Sequence, residues 1–174
     1  CSSDLPIVGA TMSLLLDLSA PVFLARVAAT RLVAAVLVRL SIEYGNMEAS
    51  AYGFAAHGFF LAADTHRYED AHAFGDVGLA LEEQFGDGRL ACRVRIVVGS
   101  MLHTKRARRV SLFHFQKAAD QAATSGDLLY VAQAAGQVVA TRFELGDDLA
   151  RTCEEAERSL TLVRAAWGSR AVSE

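Results

Sequence analysis

The stretch Leu40–Gly58, LSIEYGNMEASAYGFAAHG, decides how the chain folds. One apolar run ends at Tyr44, the pair Gly45-Asn46 follows, and a second run rich in Ala, Gly and aromatic residues begins near Glu48. Glycine and asparagine readily adopt the left-handed backbone conformation that ends a helix. The stretch therefore predicts two helices joined by a short turn, and not a glycine-rich loop that grips a ligand.

Similar breaks recur along the chain, and the apolar residues between them follow the spacing of amphipathic helices. The predicted helices cover residues 7–18, 28–44, 48–63, 68–85, 89–104, 108–124, 127–145 and 148–166. The segment Leu18-Ser19-Ala20-Pro21 is expected to end the first of them, because proline breaks helices. Four apolar stripes are each expected to be the buried face of a helix: Phe74, Gly78, Leu81 and Phe85; Leu90, Val94, Val97, Val98, Met101 and Leu102; Leu128, Ala132, Ala135, Val139 and Phe143; and Leu149, Cys153, Ala156, Leu160, Val163 and Trp167.

Alternate helices begin near residues 48, 89 and 127, a repeat of close to 39 residues. Such a period is typical of stacked helical hairpins. We therefore expect an all-α fold and one helical-repeat domain over residues 1–174, with an irregular first unit at 1–46 and hairpin units at 47–88, 89–126 and 127–168. Glycine inside a helix costs up to about 1 kcal/mol relative to alanine, so close approach of neighbouring helices is expected at Gly53, Gly58, Gly75, Gly78, Gly99 and Gly136.

Two short segments carry a resemblance to known families. The segment Ala51–Gly58, with Tyr68 and Ala71 in the next helix, resembles a degenerate tetratricopeptide unit, although the Trp and Pro of that family's pattern are missing. This likeness implies a tetratricopeptide-like right-handed α-solenoid. Leu40–Asn46 followed by Ser50-Ala51-Tyr52 resembles the helical-repeat region of large bacterial signalling proteins. Those proteins join a protein kinase, an AAA+ or STAND-type ATPase and often sensor or histidine kinase modules.

The net charge of −3 hides strongly charged segments. Residues 47–88 carry eight acids and one base, residues 89–117 carry eight bases and no acid, and residues 118–174 carry nine acids and five bases. One interpretation is that neighbouring hairpins attract each other through these charges. Another is a patch that docks an acidic protein segment; its residues are Arg93, Arg95, Lys105, Arg106, Arg108 and Arg109. The net charge and the lack of interleaved aromatic residues argue against nucleic acid.

Patterns typical of catalysis or of cofactor binding are missing or incomplete. Gly53 and Gly58 have the spacing of a phosphate loop, but Phe59-Phe60 follow where Lys and Ser/Thr belong. A metal site would use His66 and His72 with Asp64, Glu69 and Asp70, yet these do not share a helix face. The pairs Glu82-Glu83 and Glu154-Glu155 point in different directions, and Cys153 is expected to be a small core residue. We expect no enzyme activity and no cofactor in this chain.

Composition bears on the compartment. The chain is 52% hydrophobic, but its longest apolar runs are interrupted by residues such as Arg26, Arg31 and His57, so no membrane span is expected. Three unevenly spaced cysteines argue against a disulfide framework and suit the cytoplasm. The start at Cys1 suits a fragment of a longer protein, or the processed end of a lipoprotein.

These observations lead to three hypotheses about function. The first is a non-catalytic interaction and regulatory module of a multidomain bacterial signalling ATPase or kinase, as the resemblance implies. Its partners would be another protein or other domains of the same chain, and exposed end helices would allow homo-oligomers. The second is a free-standing helical-repeat binding protein or lipoprotein. The third is a small metal-dependent helical enzyme.

Overall fold

The computed structural model describes residues 5–86, 88, 90–102 and 107–171, with side chains in the last helix up to residue 161 and at 163 and 164. Over these residues the chain is all-α, with eight helices and no strand. The helices are α1 (Leu5–Ala25), α2 (Val27–Tyr44), α3 (Glu48–Thr65), α4 (Tyr68–Phe85), α5 (Ala91–Leu102), α6 (Arg108–Ser125), α7 (Leu128–Glu144) and α8 (Leu149–Ala171).

The helices divide into two compact units, Cys1–Leu90 and Ala91–Glu174. In the first unit α1 packs against α2 and α3, α2 packs against α3, and α3 packs against α4. In the second unit α6 packs against both α5 and α7, α7 packs against α8, and α5 also contacts α7. Within each unit, every helix therefore packs against the next one along the chain.

Within the stretch Leu40–Gly58, a hydrogen-bonded turn joins α2 to α3. Gly45 has a φ of 97° and donates its N–H to the carbonyl of Ser41, which ends α2. The hydroxyl of Ser41 lies 2.7 Å from the carbonyl oxygen of Leu37 and 2.7 Å from the hydroxyl of Ser50. Ser50 also accepts the N–H of Met47 at 2.9 Å. The bonds to Ser41 and Leu37 end α2, the bond from Met47 caps α3, and the Ser41–Ser50 pair joins the two helices, so the predicted turn between two helices is confirmed.

Glycines bring α3 close to both of its neighbours. A Cβ atom on Gly58 would lie 2.6 Å from the carbonyl oxygen of Ala71 in α4, and one on Gly78 would lie 2.8 Å from that of Ala51 in α3. A Cβ on Gly53 would lie 2.6 Å from the Cβ of Leu37 in α2. The expected close approach is therefore confirmed at these positions.

Close approach is also confirmed at Gly99, where an added Cβ would lie 2.7 Å from the ring of Phe115 in α6. It is wrong at Gly136 in α7, where an added Cβ would meet nothing within 4 Å. The glycine of α7 thus faces open space, while Gly53, Gly58, Gly78 and Gly99 face a neighbouring helix.

Helix α1 differs from the expectation in length and composition. Its 21 residues run through Pro21, which was expected to end it. Pro21 is exposed, so water can bond the carbonyl oxygen that its ring leaves without an N–H donor, and the helix ends only four residues later. Met12 and Ser19 are nevertheless fully buried, so one face of α1 packs within the first unit.

The sequence predicts that charged residues interrupt every long apolar run. Helix α1 does not follow this expectation, because it contains a single charged residue, Asp17. By length and composition it is the one candidate membrane span in the part of the chain that is described, and 22% of its apolar window is buried. The composition of α1 therefore does not support the expectation of no membrane span.

The last two helices bury different faces from those that the sequence predicts. The buried residues of α7 are Tyr130, Val131, Ala134, Val138 and Thr141. The predicted stripe lies beside them, and its member Phe143 is 66% exposed. In α8, Cys153 is exposed and was wrongly expected in the core. Both helices carry more apolar surface than their contacts within the second unit cover.

Candidate partner-docking surface

The predicted basic patch is partly described by the structure. Arg93 and Arg95 lie on α5, and Arg108 and Arg109 lie in the first turn of α6. Lys105 and Arg106 fall outside the described residues. We call the four described arginines the cationic surface.

Arg93 is held by contacts within the second unit. Its guanidinium donates to the carboxylate of Asp127 at 3.0 Å and lies over the ring of Tyr130, 4.8 Å from the ring centroid. Burial alone would lower the pKa of Arg93, but Tyr130 and Asp127 outweigh it and keep the pKa above its ordinary value. The side chain is 19% exposed, so Arg93 joins α5 to the start of α7 and offers little surface to a partner.

The arginines of α6 pair with acids at the other end of α7. Arg108 lies 3.0 Å from the carboxylate of Glu144. Arg109 lies 3.5 Å from Asp147, which also accepts a hydrogen bond of 3.2 Å from Arg142. These pairs join α6 to the C-terminal end of α7, as the interpretation of attracting helical hairpins predicts for this part of the chain.

The four arginines differ in how much of each side chain is exposed and can therefore contact a partner. The side chain of Arg109 is 69% exposed and that of Arg108 is 40% exposed. Exposed ion pairs contribute only about 0–1 kcal/mol, so a partner's carboxylate can compete for these two side chains at little cost. Arg95 is half-buried, with its Nε atom out of contact with solvent. Arg109 is therefore the arginine best placed to bind a partner, with Arg108 next to it.

The histidines and acids that were considered as metal ligands are not brought together as a site. His66 is exposed at the end of α3 with a φ of 56°, and its ring nitrogen lies 3.2 Å from the hydroxyl of Tyr68. His72 is buried on α4, and Asp70 is bound by Arg67 at 2.6 Å. Among the residues that the structure describes, no group of three or more His, Cys, Asp or Glu side chains could hold a metal ion.

Two grooves were not predicted from the sequence. One, of about 510 Å³, lies on α2 and α3 beside the Arg39–Glu43 pair and the half-buried His57. Burial lowers the pKa of His57, whose ring makes an edge contact with Phe74 at 4.9 Å. The other, of about 590 Å³, lies between α7 and α8. On α7 it is lined by Ala132, Ala135, Val139 and Phe143, members of the apolar stripe that the sequence predicts to be buried, so the sequence revealed the stripe but not that it borders a groove.

Comparisons with protein-family models, with curated proteins and with solved structures found no significant match to the chain.

Proposed function

We propose that this chain is a non-catalytic protein-interaction and regulatory module of a multidomain bacterial signalling ATPase or kinase. The observation that supports the proposal best is the packing of successive helices within each of the two units, with glycines at several close contacts. Helical-repeat proteins are built in this way, and their surfaces bind other proteins. In this proposal the hairpin units form a tetratricopeptide-like right-handed solenoid, and catalysis belongs to other domains of the longer protein.

The resemblance to the signalling proteins gains a physical basis from the turn between α2 and α3. Ser41 and Ser50 hold the two helices through a hydroxyl pair at 2.7 Å, and Gly45 supplies the positive φ that ends α2. Chains that join two helices with this geometry need residues of the same kinds at the turn. The motif thus supports the same type of helical array and carries no chemistry of its own.

An acidic protein segment is the partner that the cationic surface fits best. Arg109 is highly exposed and its pair with Asp147 is long, so an incoming carboxylate replaces one weak contact with another. Nucleic acid fits less well, because it is bound through contacts to many phosphates, whereas only Arg108 and Arg109 of the cationic surface are well exposed.

Charge reversal tests this docking surface. The purified chain is immobilised, and the proteins that it retains from an extract of its source cells are quantified at low and high salt. Arg109→Glu should lower the recovery of a specific partner several-fold. The matched control is Arg151→Glu, which makes the same change of charge on the exposed side of α8. Equal recovery by the wild type and Arg109→Glu would contradict docking through this surface.

The complete reading frame tests the other half of the proposal. We expect codons for an ATPase domain with a Walker motif, or for a kinase domain, in frame with this segment. A frame with a lipobox cysteine at Cys1 and no catalytic domain would favour the free-standing lipoprotein instead.

A further inference from the structure

We infer that the groove between α7 and α8 receives α7 of a second copy of this chain, in an antiparallel pair of α7 helices that cross at Gly136. This inference is independent of the proposed function, because it concerns a different surface and a different partner. It rests on the shape of the groove, on the glycine at its centre and on the position of the exposed apolar residues.

The groove is large and uncharged. Its volume is about 590 Å³, and none of the lining residues that the structure describes carries a charge. On α7 the lining residues are Ala132, Ala135, Gly136, Val139, Ala140 and Phe143, and on α8 they are Thr152, Ala156, Ser159, Leu160 and Val163. Phe143 is 66% exposed and Leu160 is 48% exposed, so the groove ends in apolar surface that faces water. Such surface marks interaction sites.

Gly136 is the site where another helix can come closest. At Gly53, Gly58 and Gly78 an added Cβ would lie within 2.8 Å of a neighbouring helix, which explains why those positions lack a side chain. At Gly136 an added Cβ would meet nothing within 4 Å. A glycine inside a helix costs up to about 1 kcal/mol relative to alanine, and among the described residues no contact at Gly136 offsets that cost. A second helix in the groove would do so.

The apolar residues of α7 are arranged symmetrically about Gly136. Leu129 precedes it by seven residues and Phe143 follows it by seven, so both lie on its side of the helix, about 10 Å away along the axis. Ala132 and Ala140 lie four residues on either side. When two α7 helices cross antiparallel at Gly136, Leu129 of each copy meets Phe143 of the other, and Ala132 meets Ala140. Twofold symmetry makes each contact occur twice.

This self-complementarity selects a second copy over other occupants. An anionic membrane surface is disfavoured, because residues 118–174 carry nine acids and five bases. The exposed fractions of Leu129, Phe143 and Leu160 are 42%, 66% and 48%. With the smaller lining residues they provide roughly 400 Å² of apolar surface per copy, about half of the ~800 Å² of a standard interface. The dimer is therefore weak, with a dissociation constant in the micromolar range or above.

Sedimentation equilibrium over a wide range of concentration, up to about 1 mM, tests the pair. The wild type should show a reversible monomer–dimer equilibrium. Gly136→Leu should raise the dissociation constant at least about tenfold, because it fills the crossing point, and its circular dichroism should remain that of the wild type, because the position is open. Phe143→Ala should also weaken the dimer. The matched control is Phe113→Ala, which removes another exposed phenylalanine on α6 and should have no effect.

Two results would overturn the inference: a wild type that stays monomeric at every concentration, or a dimer as strong in Gly136→Leu as in the wild type. Crosslinking locates the twofold axis. In a background with Cys1 and Cys153 changed to Ser, Gly136→Cys should form a disulfide dimer on mild oxidation, because a disulfide needs Cα atoms about 4.4–6.8 Å apart and the proposed crossing brings the two positions together. If it crosslinks no faster than Phe113→Cys, the axis does not pass through Gly136.

Discussion

The substitution of alanine for Gly58 tests the closest helix contact in the first unit. The new Cβ would lie 2.6 Å from the carbonyl oxygen of Ala71 and 3.0 Å from the Cβ of Phe74. Since ordinary contacts begin at 3.4 Å, α3 and α4 must separate locally by about 0.8 Å. A gap of this size forfeits about a quarter to a half of the dispersion energy of the atoms along it.

The free energy of unfolding should therefore fall. Overpacking costs about 1–3 kcal/mol, and the better helix propensity of alanine returns up to about 1 kcal/mol. We expect a net loss of about 1–2 kcal/mol in the free energy of unfolding. For each kcal/mol lost, the melting temperature of this unit should fall by roughly 4–8 °C. The assay is urea unfolding followed by far-UV circular dichroism.

The matched control is Gly136→Ala, the same chemical change in an open helix position. It should raise the free energy of unfolding by about 0.5–1 kcal/mol. If Gly58→Ala stabilises the protein as much as Gly136→Ala does, the reasoning about close helix contacts is refuted.

Three further predictions concern charges and titration. Arg108→Glu should lower the free energy of unfolding by at most about 1 kcal/mol, and the charge swap Arg108→Glu with Glu144→Arg should restore most of that loss. Urea unfolding of the single and double variants measures the coupling between the two side chains. No coupling would contradict the ion pair. Burial, as the largest cause, and the charge of Asp127, as the next, raise the pKa of the Cys92 thiol from 9.0 to about 11. The folded state therefore keeps this proton to a higher pH than the unfolded state does, and the free energy of unfolding should fall between about pH 9 and pH 11. At neutral pH a thiol reagent should modify the exposed Cys153 and spare Cys92, and equal rates would refute the burial. Burial lowers the pKa of His57 below 6.5. The unfolded state therefore takes up a proton at a higher pH than the folded state does, and the free energy of unfolding should fall as the pH drops below 6.5. His57→Gln should remove this pH dependence from acid unfolding curves, and an unchanged curve would assign the pH dependence to other groups.

Much of the fold could be predicted from the sequence because helix signals are local. The Gly45 turn, the helix from Tyr68 to Phe85 and the close contacts at Gly53 and Gly58 all follow from propensity and spacing. Pro21 was misread because the cost of a proline depends on whether water reaches the carbonyl that it leaves without a donor.

The surfaces were harder to predict. An apolar stripe indicates that a face avoids water, but it does not say whether the chain itself covers that face. Phe143 and Cys153 belong to such stripes and are exposed. Likewise, a run of basic residues does not reveal its partners, and Arg93 is occupied by Asp127, 34 residues later in the chain.

The most direct test of the proposed function removes these helices from the complete protein and measures the rate of the proposed ATPase or kinase domain with and without a partner captured through Arg109. If the chain is a non-catalytic regulatory module, the deletion should leave basal turnover within about twofold, a barrier change below about 0.5 kcal/mol, and abolish the response to the partner. Loss of basal turnover in a deletion variant that is still folded would contradict the account, because it would place catalytic groups within these helices.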